Sequence, residues 1–150
     1  MYDHQINPQA IVRPNSFIGL MTLYESNYLK LFNLIPNFID LDGASIASTL
    51  NENDILLTIN EKTKHTIAFS ISYIFEGSLG IEFEPNMKVS VYLDGKLAQV
   101  SSINEDKNNS VFNKIAHSHS DIINLLWRNN MIFNKWLDHI DDKKYYFLKV

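Results

Sequence analysis

His117-Ser-His119-Ser-Asp121 sets two imidazoles and a carboxylate at alternate positions. In an extended segment all three point one way, and nitrogen and oxygen donors of this kind suit zinc or another transition metal. The spacing falls short of the recognised zinc motifs, and Ser and Asp at a helix start serve as caps. Capping is therefore preferred, with His117, His119 and Asp121 kept as secondary metal candidates. Asp40-Leu-Asp42-Gly43 opens like a calcium loop but lacks the later acidic ligands and the closing Glu, so a turn is expected. Glu82 and Glu84 share one face of a strand-like segment. Paired carboxylates can divide acid and base work when their environments differ, but no nucleophile or positioned partner accompanies these two.

Other residues offer binding rather than catalysis. Glu61-Lys-Thr-Lys64 can hold an anion with ammonium groups and loop amides, and it reads equally well as a polar turn. Asn27 lies at the edge of an apolar helix face, where its amide needs partners, so a tie to a neighbouring loop or strand is expected. Tyr92 combines a packing ring with a hydroxyl that can meet a ligand. Asp94 precedes Gly95, which makes turn formation its default role. The ligand-binding candidates are thus Asn27, Glu61, Lys64, Tyr92 and Asp94, with no catalytic residue assigned. No phosphate loop, Gly-x-Ser-x-Gly elbow or His-Glu-x-x-His signature is present, and no cofactor is expected. The absence of cysteine excludes disulfides, thiolate metal sites and cysteine nucleophiles.

The elements that must position these groups follow from periodicity. Pro8 and Pro14 make residues 1–15 a loose arm ahead of a single domain over residues 16–150. Asn15 or Ser16 can cap a helix Phe17–Ile35 that Pro36 ends. Phe17, Met21, Tyr24, Tyr28, Leu31 and Ile35 form its apolar side; Thr22, Glu25, Ser26, Lys30 and Asn33 form the polar one. Residues 36–53 read as a polar connection with one helical turn around Ile46–Leu50. Alternation then places Ile55, Leu57 and Ile59 on one side of a strand, and Ile67, Phe69, Ile71, Tyr73 and Phe75 on one side of a longer one. Ile81–Glu84 reads as a short strand before Pro85.

Met87–Val100 is the clearest hairpin. Asp94-Gly95 suits a two-residue turn with positive φ, which pairs Leu93 with Lys96, Tyr92 with Leu97, Val91 with Ala98 and Val89 with Val100. One face then carries Val89, Val91, Leu93, Ala98 and Val100, so the register is well specified. A second helix is expected over Asp121–Ile140, capped by Ser118 or Ser120, and Tyr145–Val150 as an edge strand or docked tail. The fold class is α+β: an antiparallel sheet of about four main strands in α-β-β-β-β-α order, with two amphipathic helices on one face. The opposite face, with Ser70, Ser72, Ser90 and Tyr92, is more polar and is either solvated or a binding surface.

At 150 residues, 45% hydrophobic and 20% charged, the chain suits one globular domain with a sizeable core. A net charge of −4 without a Lys/Arg cluster argues against nucleic acid as a partner. No signal-peptide progression is visible. The most apolar stretch, Phe17 to Ile35, is broken by Glu25, Ser26, Asn27, Lys30 and Asn33, so no membrane span is expected and a cytoplasmic location fits.

Glu25-Ser-Asn-Tyr-Leu-Lys-Leu…Ile35-Pro36, Glu61-Lys-Thr-Lys-His-Thr66, Pro85-Asn-Met-Lys-Val-Ser-Val-Tyr-Leu-Asp94 and the Trp136-Leu137 helix occur in one order. Together, over residues 17–140, they resemble an uncharacterised bacterial family typified by the small YqiB protein, a domain of unknown function. The resemblance implies a small cytoplasmic protein without an established catalytic site or cofactor. The family's central strand is associated with an Arg-x-Tyr-His-Asp pattern; here it is Ser90-Val-Tyr-Leu-Asp94, so any mechanism using that Arg and His does not carry over. His65 stands where the family loop carries a Tyr.

Two functional classes remain. The first is a non-catalytic binding or regulatory module recognising a protein or small ligand through its sheet and helix–sheet junction; a homodimeric adaptor is one variant. The second is a hydrolase in which Glu25, Glu61 or Asp94 meet in three dimensions. Convergence of these carboxylates in a closed pocket discriminates the two.

Overall fold

The computed structural model describes residues 16–104 and 119–149. Helix α1, Phe17–Leu34, begins where Ser16 Oγ accepts the Gly19 N–H at 3.0 Å, satisfying one of the first-turn donors. It ends at the C-cap Ile35, whose N–H still reaches Leu31 O at 2.9 Å, just before Pro36. The helix is where periodicity places it. Its faces differ in two respects: Phe17 is exposed, while Ser26 and Lys30, expected on the solvent side, are buried.

After a 3-10 turn at Phe38–Asp40 comes strand β1, Ala44–Ser48, where a helical turn was expected. Small residues hide this strand: Ser45 and Ala47 are buried but carry little of the bulk that signals β structure. Strands β2 (Asp54–Lys62), β3 (Thr66–Gly77), β4 (Gly80–Tyr92) and β5 (Leu97–Ile103) follow, then helix α2 (His119–Asp142) and strand β6 (Tyr146–Lys149). Among the described residues the sheet is six-stranded and antiparallel, in order β5-β4-β3-β2-β1-β6. The expectation of about four strands in α-β-β-β-β-α order is therefore corrected: β1 and β6 are added, and β6 follows α2 to pair with β1.

Pro85 does not end a short strand. β4 runs through it at a register shift opposite Ile71–Tyr73, because a proline without an N–H fits a bulge. The β4–β5 register is the expected one: Tyr92 with Leu97, Val91 with Ala98, Val89 with Val100. The turn is not. Positive φ falls on Lys96 (55°) and not on Gly95, and residues 93–96 form a four-residue loop. The cause is tertiary, since the Leu93 N–H donates to His65 O at 2.9 Å in the neighbouring loop, not across its own hairpin.

Alternate residues of β2 to β5 face the helices. Ile55, Leu57, Phe69, Ile71, Val89, Val91 and Val100 pack there with Leu31, Ile35, Phe133, Leu137 and Ile140. Phe38 joins this core from the 3-10 turn, its ring edge-on to Phe69 with centroids 5.0 Å apart. A second cluster, Leu20, Leu23, Tyr24, Trp127 and Met131, joins the two helices beside β5 and receives Leu97.

Candidate functional site

Asn27 sits in a buried polar ladder between α1, α2 and the edge strand β5. Its Nδ2 donates to Ala98 O and to Asn130 Oδ1, both at 3.1 Å, and its Oδ1 accepts from Asn134 Nδ2 at 3.0 Å. Asn130 grips β5 in turn: its Oδ1 accepts the Val100 N–H at 2.7 Å and its Nδ2 reaches Val100 O at 3.4 Å. Asn134 also donates to Ser26 Oγ at 3.0 Å and accepts from Lys30 Nζ at 2.7 Å, and Lys30 ends the ladder on Asp138 Oδ2 at 2.8 Å. Asn27, Asn130 and Asn134 are fully or almost fully buried. Asn27 and Asn130 give Ala98 O and the N–H and C=O of Val100 on β5 the partners that a further strand would otherwise provide, which covers this part of the sheet edge. The expected tie from Asn27 to a strand is present, in its bond to Ala98 O of β5. Asn130, Asn134 and Asp138 were missed, although their four-residue spacing in phase with Leu126 and Leu137 marks a polar stripe on one helix face.

Glu61, Lys64, Tyr92 and Asp94 gather at one end of the sheet, all exposed. The loop between β2 and β3 uses its own amides: Thr63 N donates to Thr66 O at 2.8 Å, and Thr63 Oγ1 accepts from Thr66 N at 3.0 Å. Lys62 Nζ is turned onto the carbonyls of Ile39 and Leu41. An anion would find Lys64 there but not a cradle of loop amides. His65 Nδ1 lies 2.7 Å from Asp94 Oδ2, and both side chains are more than half exposed, so the contact joins two loops and adds little stability.

None of the carboxylates of the hydrolase reading is buried in a closed pocket. Glu25, Glu61 and Asp94 are exposed on α1, β2 and the β4–β5 loop. Among the described residues no three His, Asp or Glu side chains come together as metal ligands. His117 lies outside the described residues; the backbone of His119 and Asp121 belongs to the first turn of α2, which is helical and not extended. Asp42 Oδ1 accepts the Gly43 N–H at 2.9 Å in a turn where Gly43 has φ of 65°, a conformation glycine adopts without strain. Glu82 and Glu84 pair across the sheet with Phe75 and Tyr73, on the same side of β4.

The face of the sheet turned away from the main core holds a hollow of about 250 Å³. Leu56, Thr58 and Asn60 of β2, Ser70 and Ser72 of β3, and Phe83 and Asn86 of β4 line it. Their elements explain the grouping: these are the β2 and β3 residues that alternate with core residues, and the β4 bulge brings Asn86 beside them. Ser72 is 4% exposed at its floor. Asn60 Nδ2 donates to Ser70 Oγ at 2.7 Å, and Asn104 holds the Asn86 backbone at both its N–H (3.0 Å) and its C=O (2.8 Å). The polar character of this face, with Ser70 and Ser72, was legible from alternation; Asn86 was not, because the strand was expected to stop at Pro85.

Residues 30–146 match a family model described as "Protein of unknown function (DUF1249)". The match takes in the whole hollow and most of the ladder, and begins after Asn27. No curated protein and no solved structure matches the chain. Among the described residues no helix is long and apolar enough to cross a membrane.

Proposed function

This chain belongs to the DUF1249 family of unknown function, and from that premise we propose that it is a non-catalytic binding module whose ligand-facing surface is the open face of the sheet. The observation that carries the reading is the hollow itself. It gathers the hydroxyls of Thr58, Ser70 and a buried Ser72 with two carboxamides, on a face that no other described element covers. Binding sites pair a concave surface with a few converging polar groups, and this is where such groups converge. The exposed carboxylates give a catalytic alternative no comparable support. The resemblance of the ordered motifs to a YqiB-like family favours a bacterial, cytoplasmic setting, and the net charge of −4 favours a partner other than nucleic acid.

A thermal-shift screen of small neutral, anionic and cationic compounds and nucleotides tests the reading. A ligand at about one hundred times its Kd stabilises the native state by roughly 2.7 kcal/mol, a shift of roughly 5–10 °C for a domain of this size. The shift should vanish in Thr58→Val combined with Phe83→Ala, and persist in Glu61→Gln. A shift unaffected by the first pair moves the site elsewhere and defeats the proposal.

A further inference from the structure

The lining of the open-face hollow specifies a ligand class. Thr58, Ser70 and Ser72 bring hydroxyls and Asn60 and Asn86 bring carboxamides, and every one of these groups both donates and accepts. Among the described residues, none that lines the hollow is ionisable. A charged ligand entering would give up hydration without a counter-charge, whereas alcohol groups exchange hydrogen bonds with water for hydrogen bonds of the same kind. Asn60 Nδ2 already donates to Ser70 Oγ, which leaves the Ser70 hydroxyl hydrogen for another acceptor. Phe83, 46% exposed on β4, and Leu56 on β2 add apolar surface to the lining, suited to the C–H surface of a saturated ring. The volume of about 250 Å³ falls below the roughly 300–1,000 Å³ of drug-sized sites, so the hollow suits one ring and not a chain of them.

We infer that the hollow binds a neutral polyhydroxylated ligand one ring in size, a monosaccharide or cyclic polyol. This rests on the binding-module reading above and adds the ligand's chemistry. Lys88 pairs with Ser70 on the same face but does not line the hollow, so an anionic sugar is the sharpest competing ligand.

The test titrates the full ¹⁵N-labelled chain with methyl glucoside and myo-inositol, with glucose 6-phosphate and gluconate, and with a mixture of small fragments lacking hydroxyls. Methyl glucoside or myo-inositol should shift amides within 56–60, 70–72 and 83–86 with a Kd of about 1–10 mM, as expected for a few neutral hydrogen bonds. Phe83→Ala should weaken that binding about tenfold while its amide spectrum elsewhere stays unchanged. Asn60→Ala, exposed and outside the core, provides a second variant with the same expectation. Tighter binding of the phosphate or carboxylate compound by about tenfold overturns the neutral-ligand inference, as does a response to neither neutral compound. If a fragment without hydroxyls shifts the same amides, the binding-module reading stands and only the ligand class fails. If nothing shifts them, both fail.

Discussion

Asn27 is a polar residue at the edge of an apolar helix surface, and its three hydrogen bonds make it a joint between three elements. Replacing it with Ala removes donors from Ala98 O and Asn130 Oδ1 and an acceptor from Asn134, all buried. Asn27→Ala should cost about 2–4 kcal/mol in urea unfolding. Asp138→Ala should cost about 1 kcal/mol or less, because Asp138 is 55% exposed, water can replace it, and Asn134 still accepts from Lys30. Equal losses from the two changes would show that the ladder does not act through its buried members. Tyr24 makes a different prediction. Burial pushes its phenol from 10.0 up to about 12, with a hydrogen bond to Gln99 opposing and Tyr92 reinforcing. The unfolded chain releases this proton near pH 10 while the folded chain holds it, so the contribution is complete below pH 10 and is lost as pH rises towards 12. Stability should fall by about 1.4 kcal/mol per pH unit across that window from this group. Tyr24→Phe should flatten the slope by that amount in denaturant titrations at stepped pH. At this scale the sequence shows that Asn27 needs partners, but Ser26 and Lys30 look solvated within their own helix. Only the facing stripe Asn130–Asn134–Asp138 makes their burial affordable, and one helix's periodicity does not contain the other.

The hairpin of β4 and β5 separates what local pattern specifies from what it leaves open. Register was legible because a slip of one residue would turn Val89, Val91, Ala98 and Val100 out of the core. The turn was not, because Leu93 gives its N–H to His65 and so ends the ladder at Tyr92–Leu97. Substitution distinguishes the two turn geometries. A two-residue turn with positive φ at Asp94 and Gly95 requires Gly95; here Gly95 has no positive φ, and a Cβ would meet Leu97 Cδ1 at an ordinary 3.6 Å. Gly95→Ala should therefore be neutral or stabilise by up to about 1 kcal/mol, through a less flexible unfolded chain. Lys96→Gly should stabilise by about 0.5–1 kcal/mol by relieving a left-handed residue with a Cβ. Chemical denaturation of both variants measures this; a loss of more than about 1 kcal/mol in Gly95→Ala restores the two-residue turn. The other elements sort by the same logic. β2 and β3 were legible because large apolar residues alternate, whereas β1 hides in Ala and Ser and is held by partners on both sides.

The order of the sheet sets the demands on the molecule as a whole. β5 and β6 are the opposite edges of the described sheet, and α2, between them in the chain, runs across its face. Its 24 residues span roughly 36 Å, more than the roughly 24 Å that five strand spacings require. On the way it touches almost everything: Asn130 holds β5, Asn134 holds α1, Trp136 meets Tyr73 of β3 at 4.9 Å, and β6 follows it onto β1. None of these contacts is local, the ladder alone joining residues more than 100 positions apart, and this is why strand count and topology escaped a reading by segments. The same connectivity predicts how the protein melts. Both tryptophans lie on α2, Trp127 in the helix–helix cluster and Trp136 in the main core, so their fluorescence reports α2 docking while far-UV circular dichroism reports the whole backbone. If α2 is the element that closes the sheet, neither its docking nor the sheet survives alone, and the two signals should give one urea midpoint. Asn130→Ala, which frees the β5 edge, should move both midpoints down together, and the Val100 amide should exchange with solvent at the rate set by global unfolding in the parent chain and faster in the variant. A fluorescence transition that precedes the dichroism transition would show α2 leaving a sheet that stands without it.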